Sequence, residues 1–418
     1  MDKVHQQYEA YPYPQRDPRE EAERLLVMSP SHLPEVIHHV FGGRRPRGRR
    51  LRVLVAGGGT GDSTIALAVQ LSQDPIGGDV TYLDMSEASR AICEGRARAR
   101  GLRNLRFVTG RIEDVPALCP GPYDYIDCCG VLHHLECPER GLGALVEVLA
   151  PDGGLGIMVY GETGRTGVYH VQDLLRRLTP EDTLAGKVEA AHRLLADLPE
   201  TNLFRRNTLV KADLADDAGL VDLLLHPRDI AYRVPEVRRL VASAGLRIAS
   251  FTPSWLYEPR FLLKDPELLA RASARPPEEQ AAIAELVTCA LHKHTFYAVR
   301  RENPVATRLT AADRNAVLMP FFDQVLNEIR SAPPGTPVSH RDRGGLSLTF
   351  SLSPPLARAA GLIDGQRSLA QIHAEAGAEL GSWEGFFDAF LPLYELLVAV
   401  GAVHLRHAVP VADRGQAS

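Results

Sequence analysis

The chain has 418 residues, 45% of them apolar and 24% charged, with 47 basic against 52 acidic side chains and a formal net charge of −5. That length suits two or three domains around a large core, and the slight acidity argues against a polyanion as the main partner. The polar, proline-rich start has no apolar signal core, and no run of about 18 apolar residues marks a membrane span. The six cysteines, Cys93, Cys119, Cys128, Cys129, Cys137 and Cys289, show no Cys-x-x-Cys spacing. The expectation is a cytoplasmic protein with reduced, mostly buried thiols and no metal.

The first notable stretch is "YEAYPYPQRDP" (Tyr8–Pro18). Alternating Tyr and Pro predicts a stiff, extended segment. Tyr8, Tyr11 and Tyr13 then either form a lid that offers aromatic faces to a cation, or strap onto the neighbouring sheet domain. "GGRRPRGRRLR" carries six arginines between Arg44 and Arg52. Alone it suggests a nucleic acid; in an acidic chain it reads better as a solvated loop before a strand.

Strands and helices then alternate. Residues 52–56 are a short apolar strand, and Ser63–Leu71 has helical spacing. "DVTYLDMS" is a second strand ending in Asp84, and "EASRAICEGRARARG" is a helix closed by Gly101. "LRFVTGRIEDV", "YDYIDCCGVLHHL" and "LGIMVYG" supply strands three to five, the last preceded by the helix and turn "RGLGALVEVLAPDGG". Such alternation predicts a parallel sheet with helices on both faces. The rhythm breaks into helical, loop-rich sequence near 165–230. It resumes with a helix at Val234–Gly245 and a strand at Leu246–Thr252. A helical stretch near 260–292 precedes a last strand at His294–Arg301. Beyond Pro304 a new unit reads as one helix over "RLTAADRNAVLMPFFDQVLNEI", a loop at Ser331–Pro337, a strand "GLSLTF", further helices and a short closing strand "AVHLRH". The domains expected are a strap or lid at 1–40, a sheet domain with helical insertions at 41–303, and a small unit at 304–410.

The junction after the first strand carries the chemistry. Gly57, Gly58, Gly59, Thr60, Gly61 and Asp62 come directly after it. A phosphate-binding loop needs a lysine that is absent here. A dinucleotide loop, Gly-x-Gly-x-x-Gly, has its third glycine replaced by Asp62. Asp62 suits the positive end of a helix dipole but would repel a pyrophosphate. What remains is Gly-x-Gly-x-Gly, which resembles motif I of class I S-adenosylmethionine-dependent methyltransferases, written Val-Leu-Asp-x-Gly-Cys-Gly-Thr-Gly. The resemblance runs over roughly 40–301. It implies a Rossmann-like, seven-stranded α/β sheet whose last strand is antiparallel. It also implies the cofactor S-adenosyl-L-methionine, a sulfonium without phosphates. One position departs: the motif's acid two places before the first glycine is Val55 here. Its role at the methionine end would fall to Asp62 or an N-terminal residue.

The resemblance implies further site residues. Asp84, next to Met85, stands where the family's ribose-binding acid stands. "TGRIEDVP" matches the adenine-contacting loop, with Ile112 and Glu113 placed to contact the base. Cys129, Gly130, His133 and His134 come after strand four near the transferred methyl, and Tyr160 and Glu162 after strand five. His133 or His134 either acts as a general base or shapes the cofactor pocket. Substrate contacts are expected from Tyr8, Tyr11, Tyr13, Glu162, Arg165 and Tyr232, since insertions at strand ends set substrate choice; the insertion also bears His226, Arg228 and Asp229. His292 and His294 read as structural rather than metal-binding. In the last unit "LARAAGLIDGQRSLAQIHAEAG" resembles winged-helix-like domains, both PqqD-like peptide modules and domains attached to bacterial protein lysine methyltransferases. A peptide module, a dimerisation or regulatory domain, and a DNA-binding wing all fit, the wing least well. The leading expectation is an enzyme that methylates nitrogen or oxygen of a small molecule or peptide side chain. A non-catalytic cofactor-binding scaffold and an RNA methyltransferase are the alternatives, and a homodimer stays open.

Overall fold

The computed structural model describes residues 3–407 except 47, 322, 334, 342–344 and 377. Their contacts gather into two compact units. The first comprises residues 3–33, 49–251 and 256–303, and the second residues 34–48, 252–255 and 304–407.

The first unit is built on a seven-stranded sheet. Its strands are β1 (Leu51–Ala56), β2 (Gly78–Asp84), β3 (Leu105–Thr109), β4 (Tyr123–Cys129), β5 (Leu149–Tyr160), β6 (Leu246–Phe251) and β7 (Lys293–Arg300). The order is β3-β2-β1-β4-β5-β7-β6. β1 to β5 pair in parallel, whereas β7 runs antiparallel to both β5 and β6. β1 is buried at every position but Arg52, as an apolar run covered on both faces must be. β1 lies between β2 and β4, so successive connections leave it in opposite directions. This is the switch point at which open α/β sheets bind ligands beyond the strand carboxyl ends. β5 starts earlier than expected, taking in the Pro-Asp-Gly-Gly segment through an irregular register between Tyr123 and Tyr125 of β4.

Helices α1 (Lys3–Ala10), α3 (Asp62–Gln73) and α4 (Glu87–Ala99) contribute to the site, and α2 (Leu33–Phe41) falls almost wholly in the second unit. α1 corrects the sequence reading, because Tyr8 sits in a helix and the irregular segment starts only after Ala10. "KVHQQYEA" contains no proline, and Pro12 ends the helix-compatible run. α4 is capped by Ser86, whose side chain accepts from the Ser89 N–H. The insertion forms helices over Val168–Leu178 and Leu184–Asp197 with shorter turns after them. Its own core includes Val171, Leu175, Val188, Phe204, Leu220 and Leu224, with Tyr11 packed against it. All six cysteines are free, and Cys137 and Cys289 are exposed rather than buried.

The second unit carries two strand pairs, of which one strand replaces part of the expected helix and two fall on the strands expected at "GLSLTF" and "AVHLRH". β8 (Val317–Pro320) pairs antiparallel with β11 (Val403–Arg406), and β9 (Val338–Arg341) with β10 (Ser347–Phe350). The single helix expected over 308–329 is therefore β8 and then a helix at Asp323–Ser331. Pro320 would clash inside a helix but is tolerated at a strand end. Trp383–Ala399 is the long helix of this unit, burying Phe386, Phe390 and Leu397.

Candidate cofactor and active site

The glycine loop is tied to β2 through its backbone. Gly57 and Gly58 donate to the Leu83 carbonyl at 2.8 and 3.0 Å. Gly59 N–H donates to Asp84 Oδ2 at 2.8 Å, and the Tyr82 hydroxyl to the Gly59 carbonyl at 2.8 Å. Gly61 has φ 106°, and a Cβ there would lie 2.4 Å from Cys93 Sγ. A Cβ on Gly58 would lie 2.4 Å from the Tyr82 ring. Both positions therefore exclude side chains, Gly61 also by its backbone angle. Asp84 Oδ1 accepts from the Ser86 N–H at 2.9 Å. Burial raises the Asp84 carboxyl, against the opposing pull of the Ser86, Gly59 and Met85 amides.

Above this loop lies a cavity of about 370 Å³, lined wholly by residues of the first unit. Of the residues named from sequence, Gly57, Gly58, Gly59, Asp62, Asp84, Met85, Ile112, Glu113, Cys129, Gly130, His134, Tyr160, Arg165, Tyr8 and Tyr13 line it. The others are placed elsewhere. Thr60 donates its hydroxyl to the Pro14 carbonyl at 2.6 Å, and Gly61 is taken up by the packing on Cys93. Tyr11 packs on the insertion's core. Glu162 is exposed. Tyr232 acts through its backbone, accepting from Glu162 N–H at 3.0 Å and donating to the Tyr160 carbonyl at 2.8 Å. His133 is fully buried and packs on Tyr160, ring centroids 3.9 Å apart.

The two histidines are thus unlike. His134 reaches the cavity, and its Nδ1 lies 2.8 Å from the Arg228 carbonyl. A carbonyl only accepts, so Nδ1 carries the proton and Nε2 keeps its lone pair. The Arg228 N–H in turn donates to His226 Nδ1 at 3.1 Å, leaving His226 with its proton on Nε2. One residue's backbone fixes both tautomers. The rings stack with centroids 3.7 Å apart. Beside them at the cavity wall lies Asp222, 3% exposed, with Oδ1 3.9 Å from His134 Nε2. Tyr8 donates to Asp222 Oδ1 at 3.0 Å and Tyr160 to Oδ2 at 2.6 Å. Burial and the Asp222 charge raise both phenols well above their ordinary range, so they remain hydrogen-bond donors. His134, Asp222 and His226 are close enough to share a metal ion. His226 in this tautomer has no free lone pair for such an ion, since its Nδ1 accepts from Arg228 and its Nε2 carries the proton.

Arg165 stacks over Tyr160 at 3.8 Å and pairs with Asp229 at 2.7 Å, both ion-pair side chains being 1% exposed. Its charge is neutralised, and it holds the Tyr160 ring. His294 has both nitrogens engaged, by the Tyr232 carbonyl at 2.9 Å and the Tyr257 hydroxyl at 3.1 Å. Three arginines of the run form ion pairs within the chain. Arg49 pairs with Asp124 and Asp152, Arg50 makes two bonds to Asp79, and Arg44 meets Asp313.

Asp62 is held by Arg16 through two bonds of 2.9 and 2.7 Å and by Arg96 at 2.7 Å. Val55, where the motif has an acid, is in register with Asp127 of β4. Asp127 lines the cavity and is 1% exposed, and burial raises its carboxyl to about 7. Asp127, Asp222 and Arg16 do not stand out in the sequence as site residues. The signal for the first two is a lone acid inside an apolar run, "YIDCC" and "GLVDLLL".

Residues 54–155 match the family described as Methyltransferase domain. Over those residues the chain carries a methyltransferase domain. Its glycine cradle and Asp84 fit S-adenosylmethionine, the cofactor of such domains. The chain is 34% identical over 258 residues to the uncharacterized protein syc1184_c of Synechococcus sp., a match spanning 60% of each chain. It is 32% identical over 117 residues to the tRNA 5-carboxymethoxyuridine methyltransferase of Escherichia coli, covering 28% of this chain and 42% of that one. In structure it resembles PKMT2 from Rickettsia typhi, with TM-score 0.65 at 16% identity, covering 93% of this chain and 77% of that one. That neighbour is also known in complex with AdoHcy. No helix among the described residues is long and apolar enough to cross a membrane.

Proposed function

We propose that the protein transfers a methyl group from S-adenosylmethionine to an amine nitrogen, carried by a small molecule or by a side chain of a peptide. The observation that carries this reading is Asp222 with its two tyrosines and His134, in the same cavity as the glycine loop. The bound cofactor supplies a methyl group on a positively charged sulfur. An amine reaches the site as an ammonium ion, which aromatic faces and a buried carboxylate attract. It must lose a proton before its nitrogen can attack. His134 Nε2 holds the only lone pair that the Arg228 contacts leave on that ring. The imidazolium formed on proton uptake lies beside Asp222. Tyr8 and Tyr160 keep their protons and orient the carboxylate. Alignment of nucleophile and methyl is the main remaining requirement.

The test is a labelled-methyl assay over matched amines and alcohols, with calorimetry of cofactor binding. Asp84→Ala is expected to lose cofactor affinity. His134→Gln is expected to keep that affinity and to lose roughly a hundredfold or more in kcat, the usual share of a general base. Asp222→Asn is expected to raise KM for the amine. Equal or faster methylation of the alcohols would replace nitrogen by oxygen, and an unchanged kcat in His134→Gln would remove its role as base.

A further inference from the structure

We propose that Asp127 is the counter-charge for the cofactor's α-ammonium group, standing one strand away from the position where the family motif keeps its acid. The proposal rests on S-adenosylmethionine being the ligand of the glycine loop. Four observations carry it.

Val55 leaves β1 without an acid, and Asp127 of β4 is its register partner. Neighbouring strands lie about 4.8 Å apart, so a carboxylate on β4 serves the same end of the loop. Second, Asp62 does not offer a free carboxylate, being shared between Arg16 and Arg96. Third, Asp127 lines the cavity, is 1% exposed, and its Oδ2 has no hydrogen-bond partner. A buried, unpartnered carboxylate oxygen is costly unless a donor or cation meets it. Fourth, its place along the cavity suits one end of the ligand only. Asp84, Gly110, Ile112 and Glu113 lie at the ends of β2 and β3, on one side of the glycine loop. A nucleoside held there leaves the amino-acid end over β4. The Ser63 hydroxyl and the Cys129 N–H already point at the Asp127 carboxylate. An ammonium group, with three donors and a positive charge, suits the oxygen that remains.

The experiment compares two probes, S-adenosylhomocysteine and 5′-methylthioadenosine, which has the nucleoside but no amino-acid end. Calorimetry on the whole protein is expected to show Asp127→Asn binding S-adenosylhomocysteine at least about tenfold more weakly, the scale of a lost charge-assisted hydrogen bond. Binding of 5′-methylthioadenosine is expected to be unchanged, which also shows that the variant is folded. The double variant Val55→Asp/Asp127→Asn, which moves the acid back to β1, is expected to recover most of the lost affinity. Equal affinity of wild type and Asp127→Asn for S-adenosylhomocysteine would overturn the proposal, as would a parallel loss for both probes. A wild type that binds neither probe would instead overturn the cofactor reading beneath it.

Discussion

Asp127 couples folding stability to pH. Its carboxyl is raised from an ordinary 3.8 to about 7 by burial, against the Ser63 hydroxyl and the Cys129 amide. The folded protein therefore holds a proton that the unfolded chain releases near pH 4. The unfolded state binds fewer protons over that window, so this group lowers stability progressively as pH rises from about 4 to about 7. Asp127→Asn should remove that part of the slope, read from denaturant midpoints across the pH range. A slope unchanged by the substitution would show that Asp127 is ionised in the fold. Side chains of this kind explain what the sequence made legible and what it hid. Gly57 to Gly61 and Asp84 are consecutive or close in the chain, and their spacing encodes a turn, so they can be read directly. Asp222 meets Tyr8 across more than two hundred positions, a juxtaposition that local pattern does not encode. The choice between His133 and His134 was equally hidden. It depends on the Arg228 backbone, nearly a hundred positions further along the chain.

Among the elements, the N-terminal segment is the one most dependent on charge. Glu21 receives both Arg96 and Arg100 of the α4 region, Asp62 receives Arg16, and Glu9 accepts the Glu87 N–H at the start of α4. Arg96 is 2% exposed. Glu21→Ala would leave a buried guanidinium with Asp62 and the Thr60 carbonyl as its remaining partners. Removing one member of a buried pair destabilises strongly, and the surviving partners reduce the loss. We expect about 2 kcal/mol of lost stability, with faster proteolytic cleavage within residues 3–32. Unchanged cleavage would mean that apolar contacts such as that of Val4 suffice to hold the segment. Strand and helix assignments in the sheet were readable because apolar runs and glycine stops recur with a clear period. β8 was not. "AVLM" fits a helix or a strand equally well, and its partner β11 enters only at Val403. The one local clue was Pro320, which a helix interior disfavours.

At the level of the whole chain, the seven-strand order with its antiparallel β7 could be expected from the resemblance, and the run of arginines could have misled. Three of those arginines, Arg44, Arg49 and Arg50, meet Asp313, Asp124, Asp152 and Asp79, which accounts for half of the basic stretch. The division of the chain has a less obvious consequence. Residues 34–48 and 252–255 belong with the last hundred or so residues, and the backbone passes from one unit to the other at 33–34, 48–49, 251–252, 255–256 and 303–304. The C-terminal region is therefore not an appendage that a single cut can remove. His38 takes the Leu405 N–H at 2.8 Å, and Val36 and Val40 of α2 are each 1% exposed. A protein ending at Asn303 would keep α2 while losing what covers it. Such a truncation should aggregate or expose apolar surface to a hydrophobic dye, even though every strand of the methyltransferase sheet is present. A soluble, monomeric 1–303 fragment would refute this. Interleaving of this kind makes the two units inherit each other's folding: neither can be swapped, duplicated or lost in evolution without breaking the chain in several places at once.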